Sequence, residues 1–264
     1  MFRILTLAAL LLASPAAAFT QEDLLQAELL PGWRDASGRH MAALSLTLAP
    51  GWKTYWRSPG EAGIPPILDF TGSGNLGAVR LHWPSPVVFD VNGLQTIGYH
   101  DRLILPIEVT PSRSGQPIEL RLDVDLGVCR DICVPAHLDL TATLPATGTP
   151  NPAIRAALAS GPVRARDAGM TAIHCAVAPI SDGLAMTTKI TMPRLGPAET
   201  VVIEPADGTI WVSQSATRRD GAILTAKTDL VPPNGAPFAL DRSTLRVTVV
   251  GERGSVEVTG CPAP

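Results

Sequence analysis

Apolar and polar positions alternate along much of the chain. Period-two runs fall at 43–48 (ALSLTL), 103–109, 118–126 and 138–144. Successive side chains of a strand point to opposite faces, so each run predicts a half-buried strand. Turn-forming residues separate the runs: Pro50 and Gly51, Ser58 to Gly60, Gly72 to Gly74, and Ser112 to Gly115. Short strands punctuated in this way predict a first β-sandwich. The pattern changes at 146–150, a connection of Thr, Gly and Pro. Asn151 followed by Pro152 predicts a helix start. Asn caps free N–H groups, and Pro at the first helical position has no needed donor to lose. Residues 153–159 are good helix formers, and Gly161-Pro162 stops them. Beyond 168 the alternation resumes at 184–192, 200–204, 210–217, 222–228, 245–249 and 255–259, with hairpin signals at 219–221 and 251–254. A second β-sandwich is expected there.

The first twenty residues do not follow this pattern. Arg3 precedes an apolar run at 4–12, and Ala16, Ala17 and Ala18 follow. A basic start, a short apolar stretch and an A-x-A end predict a secretory signal over 1–18, cleaved to leave Phe19 first. No later stretch reaches the roughly 18 consecutive apolar residues that a membrane helix needs, so the mature chain is expected to lack a transmembrane segment. Composition agrees with a packed protein: 264 residues, 45% hydrophobic and 17% charged, which excludes general disorder. Lys and Arg total 21 against 24 Asp and Glu, a net charge of −3, so nothing marks a nucleic-acid partner. The 23 Gly and 25 Pro are scattered, which excludes collagen and fits many turns.

Export changes how the cysteines read. There are four, Cys129, Cys133, Cys175 and Cys261. An even number in an oxidising compartment predicts disulfides, and four cysteines allow three pairings. Cys129 and Cys133 lie between the predicted strands 118–126 and 138–144, at the tip of the hairpin these would form. Directly opposed Cβ atoms there stand roughly 4.5–5.5 Å apart, near disulfide range. Cys175 and Cys261 lie at the two ends of the second sandwich. In the chain-entropy model a bridge closing about 87 residues is worth roughly 4.6 kcal/mol, and one closing about five residues roughly 2.1. The long bridge therefore suits a structural staple. A small ring opens without unfolding anything, which suits a redox pair. An ordinary hairpin disulfide is the equal alternative at Cys129 and Cys133.

The segments around the first pair resemble a known family. They are GWKTYWRSPG at 51–60 with GIPP at 63–66, GYHDRLILP at 98–106, and VCRDICVP at 128–135. In this order they are similar to the DsbD N-terminal-like domain over about residues 35–145, nearest to its ScsB-like, copper-sensitivity-suppressor branch. The resemblance implies an immunoglobulin-like periplasmic domain with a reversible dithiol. The expected fold is all-β: two immunoglobulin-like β-sandwich domains joined by a short helical linker. The expected divisions are a signal peptide at 1–18, the redox domain at 19–147, the linker at 148–168 and the second sandwich at 169–264. Family members take electrons from a membrane-embedded thiol reductase domain and pass them to periplasmic thioredoxin-like proteins. Two departures stand out. Three residues separate the cysteines, where the better-known DsbD loop has five. No membrane or thioredoxin-like domain follows in this chain, so either a separate membrane partner is expected or the relay role is lost.

The resemblance assigns Cys133 the partner-facing role and Cys129 the resolving one. It also implies a cap loop, here Phe89-Asp-Val-Asn-Gly93, in which Phe89 or Val91 shields the sulfurs; Phe89 as plain core is the competing reading. Thiolates need a nearby cation or donor. Arg130 is adjacent but offset by Asp131, and His137 is four residues on, with a surface role as its simpler reading. Tyr55 and Tyr99, the two tyrosines, are candidates to hydrogen-bond near the site or to pack. Trp52 and Trp56 read as core. No cofactor motif or phosphate loop is found, and the five histidines show no ligand spacing, so no metal site is assigned. Two alternatives stay open: a non-catalytic secreted β-sandwich binding module with two structural disulfides, and a copper-handling protein, since soft thiolates select Cu(I). The resemblance also brings cytochrome c biogenesis and copper tolerance into view as processes.

Overall fold

A computed structural model describes residues 20–264, apart from Asn92 and the side chain of Val91. The predicted secretory signal lies outside the described residues. A single helical turn, α1 (Gln21–Leu24), leads into ten strands: β1 (Leu25–Arg34), β2 (His40–Leu48), β3 (Lys53–Tyr55), β4 (Ile67–Asp69), β5 (Leu76–Leu81), β6 (Val87–Val91), β7 (Leu94–His100), β8 (Arg102–Pro111), β9 (Ile118–Cys129) and β10 (Cys133–Leu144). One sheet has the order β1-β2-β8-β5; the other runs β10-β9-β3-β7-β6, with β4 beside β9.

Alternation drives this arrangement. In β9, Ile118, Leu120, Leu122, Val124, Leu126 and Val128 are all buried. They meet Leu44, Leu46, Leu105 and Ile107 of the facing sheet in one core. Each such side chain gains about 1.5–3 kcal/mol on burial. The outward positions Glu119, Arg121 and Asp125 stay exposed. Helix α2 (Pro152–Ala159) follows as predicted, with the Asn151 side chain accepting from the Ala153 N–H at 2.8 Å.

The second sandwich comprises β11 (Val163–Arg164), β12 (Ala172–Ile180), β13 (Gly183–Thr191), β14 (Glu199–Glu204), β15 (Trp211–Val212), β16 (Ala216–Asp220), β17 (Ile223–Val231), β18 (Arg246–Gly251) and β19 (Gly254–Thr259). Its sheets are β11-β19-β18-β14 and β12-β13-β17-β15, with β16 also on β17. The all-β, two-sandwich architecture is therefore as expected. Local details differ. The run 210–217 is two strands, because the register against β17 slips by one residue between Val212 and Ala216. Strand β1 has no clean alternation because Pro31 and Gly32 form a bulge between Leu30 and Trp33. Gly32 has φ 64°, and a Cβ there would overlap the Met41 carbonyl. Residues 163–164, within the stretch read as linker, pair in parallel with β19.

The sandwiches meet through a half-buried ion cluster. Arg57 donates from Nε to Glu204 at 2.8 Å and from Nη2 to Glu257 at 2.7 Å. Its guanidinium lies 4.2 Å from the centroid of the buried Trp56 ring. Ser85 and Ser255 share a 2.8 Å hydrogen bond, and Val202 and Val250 pack onto the first core.

Candidate functional site

Strands β9 and β10 pair in continuous register from Leu144↔Ile118 to Cys133↔Cys129. The three residues between the cysteines form the turn, with the Arg130 N–H bonded to the Ile132 carbonyl. The cysteines are therefore the last opposed pair of the ladder. They are disulfide-bonded, with Cα atoms 4.1 Å apart. Cys129 is 2% exposed, whereas Cys133 lies open to solvent. The bridge thus joins one sheltered cysteine to one exposed one.

The sheet extends this pair into a row. Cys129 opposes Lys53 of β3, and Lys53 opposes His100 of β7. Opposed residues share a sheet face, so His100, Lys53, Cys129 and Cys133 stand side by side on the outer face. Alternation fails here for a physical reason. Gly127 faces outward yet is buried, because Ile64 and the Tyr55 ring cover it. A Cβ on Gly127 would stand 3.0 Å from Ile64 and 3.3 Å from the Tyr55 ring. The missing side chain lets Tyr55 lie flat across β9, and its hydroxyl stands 3.5 Å from the Cys133 sulfur. Burial pushes the Tyr55 pKa up, so the hydroxyl keeps its proton and stays a donor.

Lys53 is the nearest cation in the row. Its ammonium donates to Thr96 at 2.9 Å and sits 4.7 Å above the Phe89 ring and 5.9 Å from the Tyr55 ring. Burial lowers its pKa. Phe89, on β6, is half-buried and meets His100 edge-on at 6.3 Å. The β6–β7 hairpin is thereby held against the row through Lys53. Arg130 stacks 5.3 Å from Trp52 and is paired with Asp131 at 3.0 Å, so its charge is offset locally.

The segment that carries this arrangement matches a known family. Residues 24–145 match the family model described as "Thiol:disulfide interchange protein DsbD, N-terminal". Over these residues the chain carries a DsbD N-terminal-like domain. The wider fold is similar to the crystal structure of the N-terminal periplasmic domain of ScsB from Proteus mirabilis, with 25% identity and a TM-score of 0.66. That likeness covers 90% of this chain and 92% of the other, so it includes the second sandwich. No curated protein matches the chain.

Within the DsbD N-terminal-like domain the candidate residues separate into two groups. Cys129, Cys133 and Phe89 lie on the outer face around Lys53. Tyr99 does not join them: it sits on the core side, stacked on Trp83 at 6.4 Å, with its hydroxyl donating to the Pro84 carbonyl at 2.8 Å. Tyr55 is the tyrosine that meets the sulfur. His137 shares the outer face but is about 13 Å along β10 from Cys133, at roughly 3.3 Å per residue. It bonds Asp125 at 2.8 Å, and that hydrogen bond raises its pKa. Val91 ends β6 opposite Leu94. Trp52 and Trp56 are buried core residues. Lys53 escaped sequence reasoning because its neighbours come from β7 and β9. The GWKTYW segment carries no local sign of that register.

Cys175 and Cys261 form the second disulfide, with Cα atoms 5.5 Å apart. Both are within 1% of complete burial and belong to the core of the second sandwich. Among the described residues no three His, Cys, Asp or Glu side chains converge as a metal site, and no helix is long and apolar enough to cross a membrane.

Proposed function

We propose that this protein relays electrons by reversible opening of the Cys129–Cys133 disulfide, between a membrane-embedded thiol reductase domain and periplasmic thioredoxin-like proteins. The observation that carries the reading is the asymmetry of the bridge: Cys133 is open to solvent and Cys129 is 2% exposed. An incoming thiolate from the donor attacks the Cys133 sulfur. A mixed disulfide forms, the Cys129–Cys133 bond breaks, and Cys129 leaves as a thiolate. The donor's second thiol then attacks its own bridged sulfur and frees Cys133. Two electrons have moved to this chain, and the donor holds the disulfide. With an oxidised thioredoxin-like acceptor, the Cys133 thiolate attacks the acceptor disulfide. Cys129 then resolves the mixed disulfide, returning the pair to its oxidised form.

The surroundings have roles in this scheme. Lys53, the residue opposed to Cys129 in the ladder, favours the leaving thiolate. The Tyr55 hydroxyl donates to Cys133 and orients it. Phe89, held by Lys53, shields the row from small oxidants, with Val91 in the same hairpin. Cys175–Cys261 is a structural staple. The protein works in the periplasm after removal of 1–18, with 19–147 as the redox domain, 148–168 as linker and 169–264 as a second domain. Cys129→Ser tests the scheme. It is expected to leave Cys133 able to form a long-lived mixed disulfide with a thioredoxin-fold partner, isolable on a non-reducing gel. Cys133→Ser is expected to form none; equal trapping by both variants contradicts the assignment.

A further inference from the structure

This inference rests on the relay reading above and concerns how a partner is held while sulfur attacks sulfur. A partner that reaches Cys133 lays a protein surface over the hairpin tip. A standard interface covers about 800 Å² per side, a disc of about 16 Å radius. Two apolar side chains already project around the tip. Ile132, between the cysteines, is 68% exposed, and Ile64, covering Gly127, is 39% exposed. Gly127 is two residues from Cys129, roughly 7 Å along the strand.

The loop that carries Ile64 leads onward to the second sandwich. Gly60, Gly63 and Pro65 form one wall of a cleft of about 590 Å³, and Ile203, Pro205 and Trp211 form the other. Trp211 is 52% exposed, whereas Trp52, Trp56 and Trp83 are each 7% exposed or less. Its two-residue strand is held in place across the cleft. The Gln214 N–H donates to Glu61 at 3.0 Å, and Arg57 grips Glu204 at 2.8 Å. Ile64 stands in sequence between Gly63 and Pro65 of the first wall, so one loop joins the redox tip to the cleft that Trp211 borders. Tryptophan is among the residues most enriched at binding hot spots.

We propose that the second sandwich supplies part of the partner-docking surface, with Trp211 anchoring a thioredoxin-fold protein whose cysteine engages Cys133. This gives the second sandwich a task that its own disulfide does not explain. It also makes the Arg57 cluster a device that sets the spacing between anchor and sulfur.

The test compares two reductants on the full mature chain, with the opening of Cys129–Cys133 followed by stopped-flow. Reduced bacterial thioredoxin needs a docking surface; dithiothreitol does not. Trp211→Ala is expected to slow thioredoxin about tenfold and leave dithiothreitol unchanged. Ile223→Ala is the control: Ile223 is 45% exposed and on the same sheet, but about 26 Å along β17 from the Trp211 partner Val231. It is expected to change neither rate. Wild-type-like rates with thioredoxin in Trp211→Ala overturn the proposal. So does equal slowing of both reductants, or a thioredoxin no faster than dithiothreitol on the wild type at matched thiolate. If neither reductant opens the pair in the folded protein, the relay reading itself falls, and the docking proposal with it.

Discussion

Cys129–Cys133 and Cys175–Cys261 are both disulfides in β-sandwiches, yet their surroundings differ in every respect that matters for chemistry. The first closes a ring of five residues at the turn end of a hairpin, and one of its cysteines is exposed. The second closes 87 residues from inside a core, with both cysteines at 1% exposure or less. Opening the first leaves the β9–β10 ladder intact, because the register from Val134↔Val128 to Leu144↔Ile118 does not depend on it. Opening the second requires a reductant to enter the core and releases the restraint joining β12 to the segment after β19. The lesson is one of placement. A disulfide is exchangeable when it lies at the end of a ladder that other bonds already hold, and structural when the chain entropy it removes is large and solvent is excluded.

Several substitutions break or sharpen that contrast. Replacing Cys175 and Cys261 together by Ala is expected to destabilise the protein by about 4–5 kcal/mol, against about 2 kcal/mol or less for the Cys129/Cys133 double Ala variant. Urea unfolding of the two double variants measures the difference. Equal losses would remove the contrast. Next comes the contact between the regions. Arg57→Leu leaves Glu204 half-buried without its cation and Glu257 with only Arg246 at 3.8 Å, and a loss of about 3 kcal/mol is expected from breaking such a pair. Small-angle scattering is expected to show the sandwiches loosened. A variant with wild-type stability and shape would mean the cluster does not fix their geometry. The smallest effect is local to the redox pair. Lys53→Met removes the charge of the residue opposed to Cys129, and a loss of about 1 kcal/mol for the thiolate is expected. That corresponds to a potential about 20 mV more negative for Cys129–Cys133. The potential is read by equilibration with glutathione. A rise instead of a fall would show that Lys53 serves the Phe89 hairpin alone.

Much of the framework was legible in the sequence because sandwich strands announce themselves by period two. β9 reads cleanly since Ile118 to Leu126 alternate without interruption, and the cysteines fall at its end by simple counting. What stayed hidden depends on register between distant strands. Lys53 lies 76 residues before Cys129, and only the β3–β9 ladder makes them neighbours. Tyr55 and Tyr99 could not be told apart by composition; the parity of their positions across β3 and β7 sends one to the outer face and the other to the core. The 210–217 run concealed a one-residue slip, which alternation of side chains does not reveal. Trp211 likewise reads as an ordinary strand aromatic until the neighbouring sandwich leaves it half exposed.

The most direct test is mass-spectrometric thiol labelling of the mature protein across a glutathione redox series, following the two pairs separately. The expected result is that Cys129 and Cys133 become labelled together at a potential well above about −300 mV, where structural disulfides of secreted proteins stay closed, while Cys175 and Cys261 remain protected. Both pairs staying oxidised until the protein unfolds would contradict the relay and leave Cys129–Cys133 as a hairpin staple.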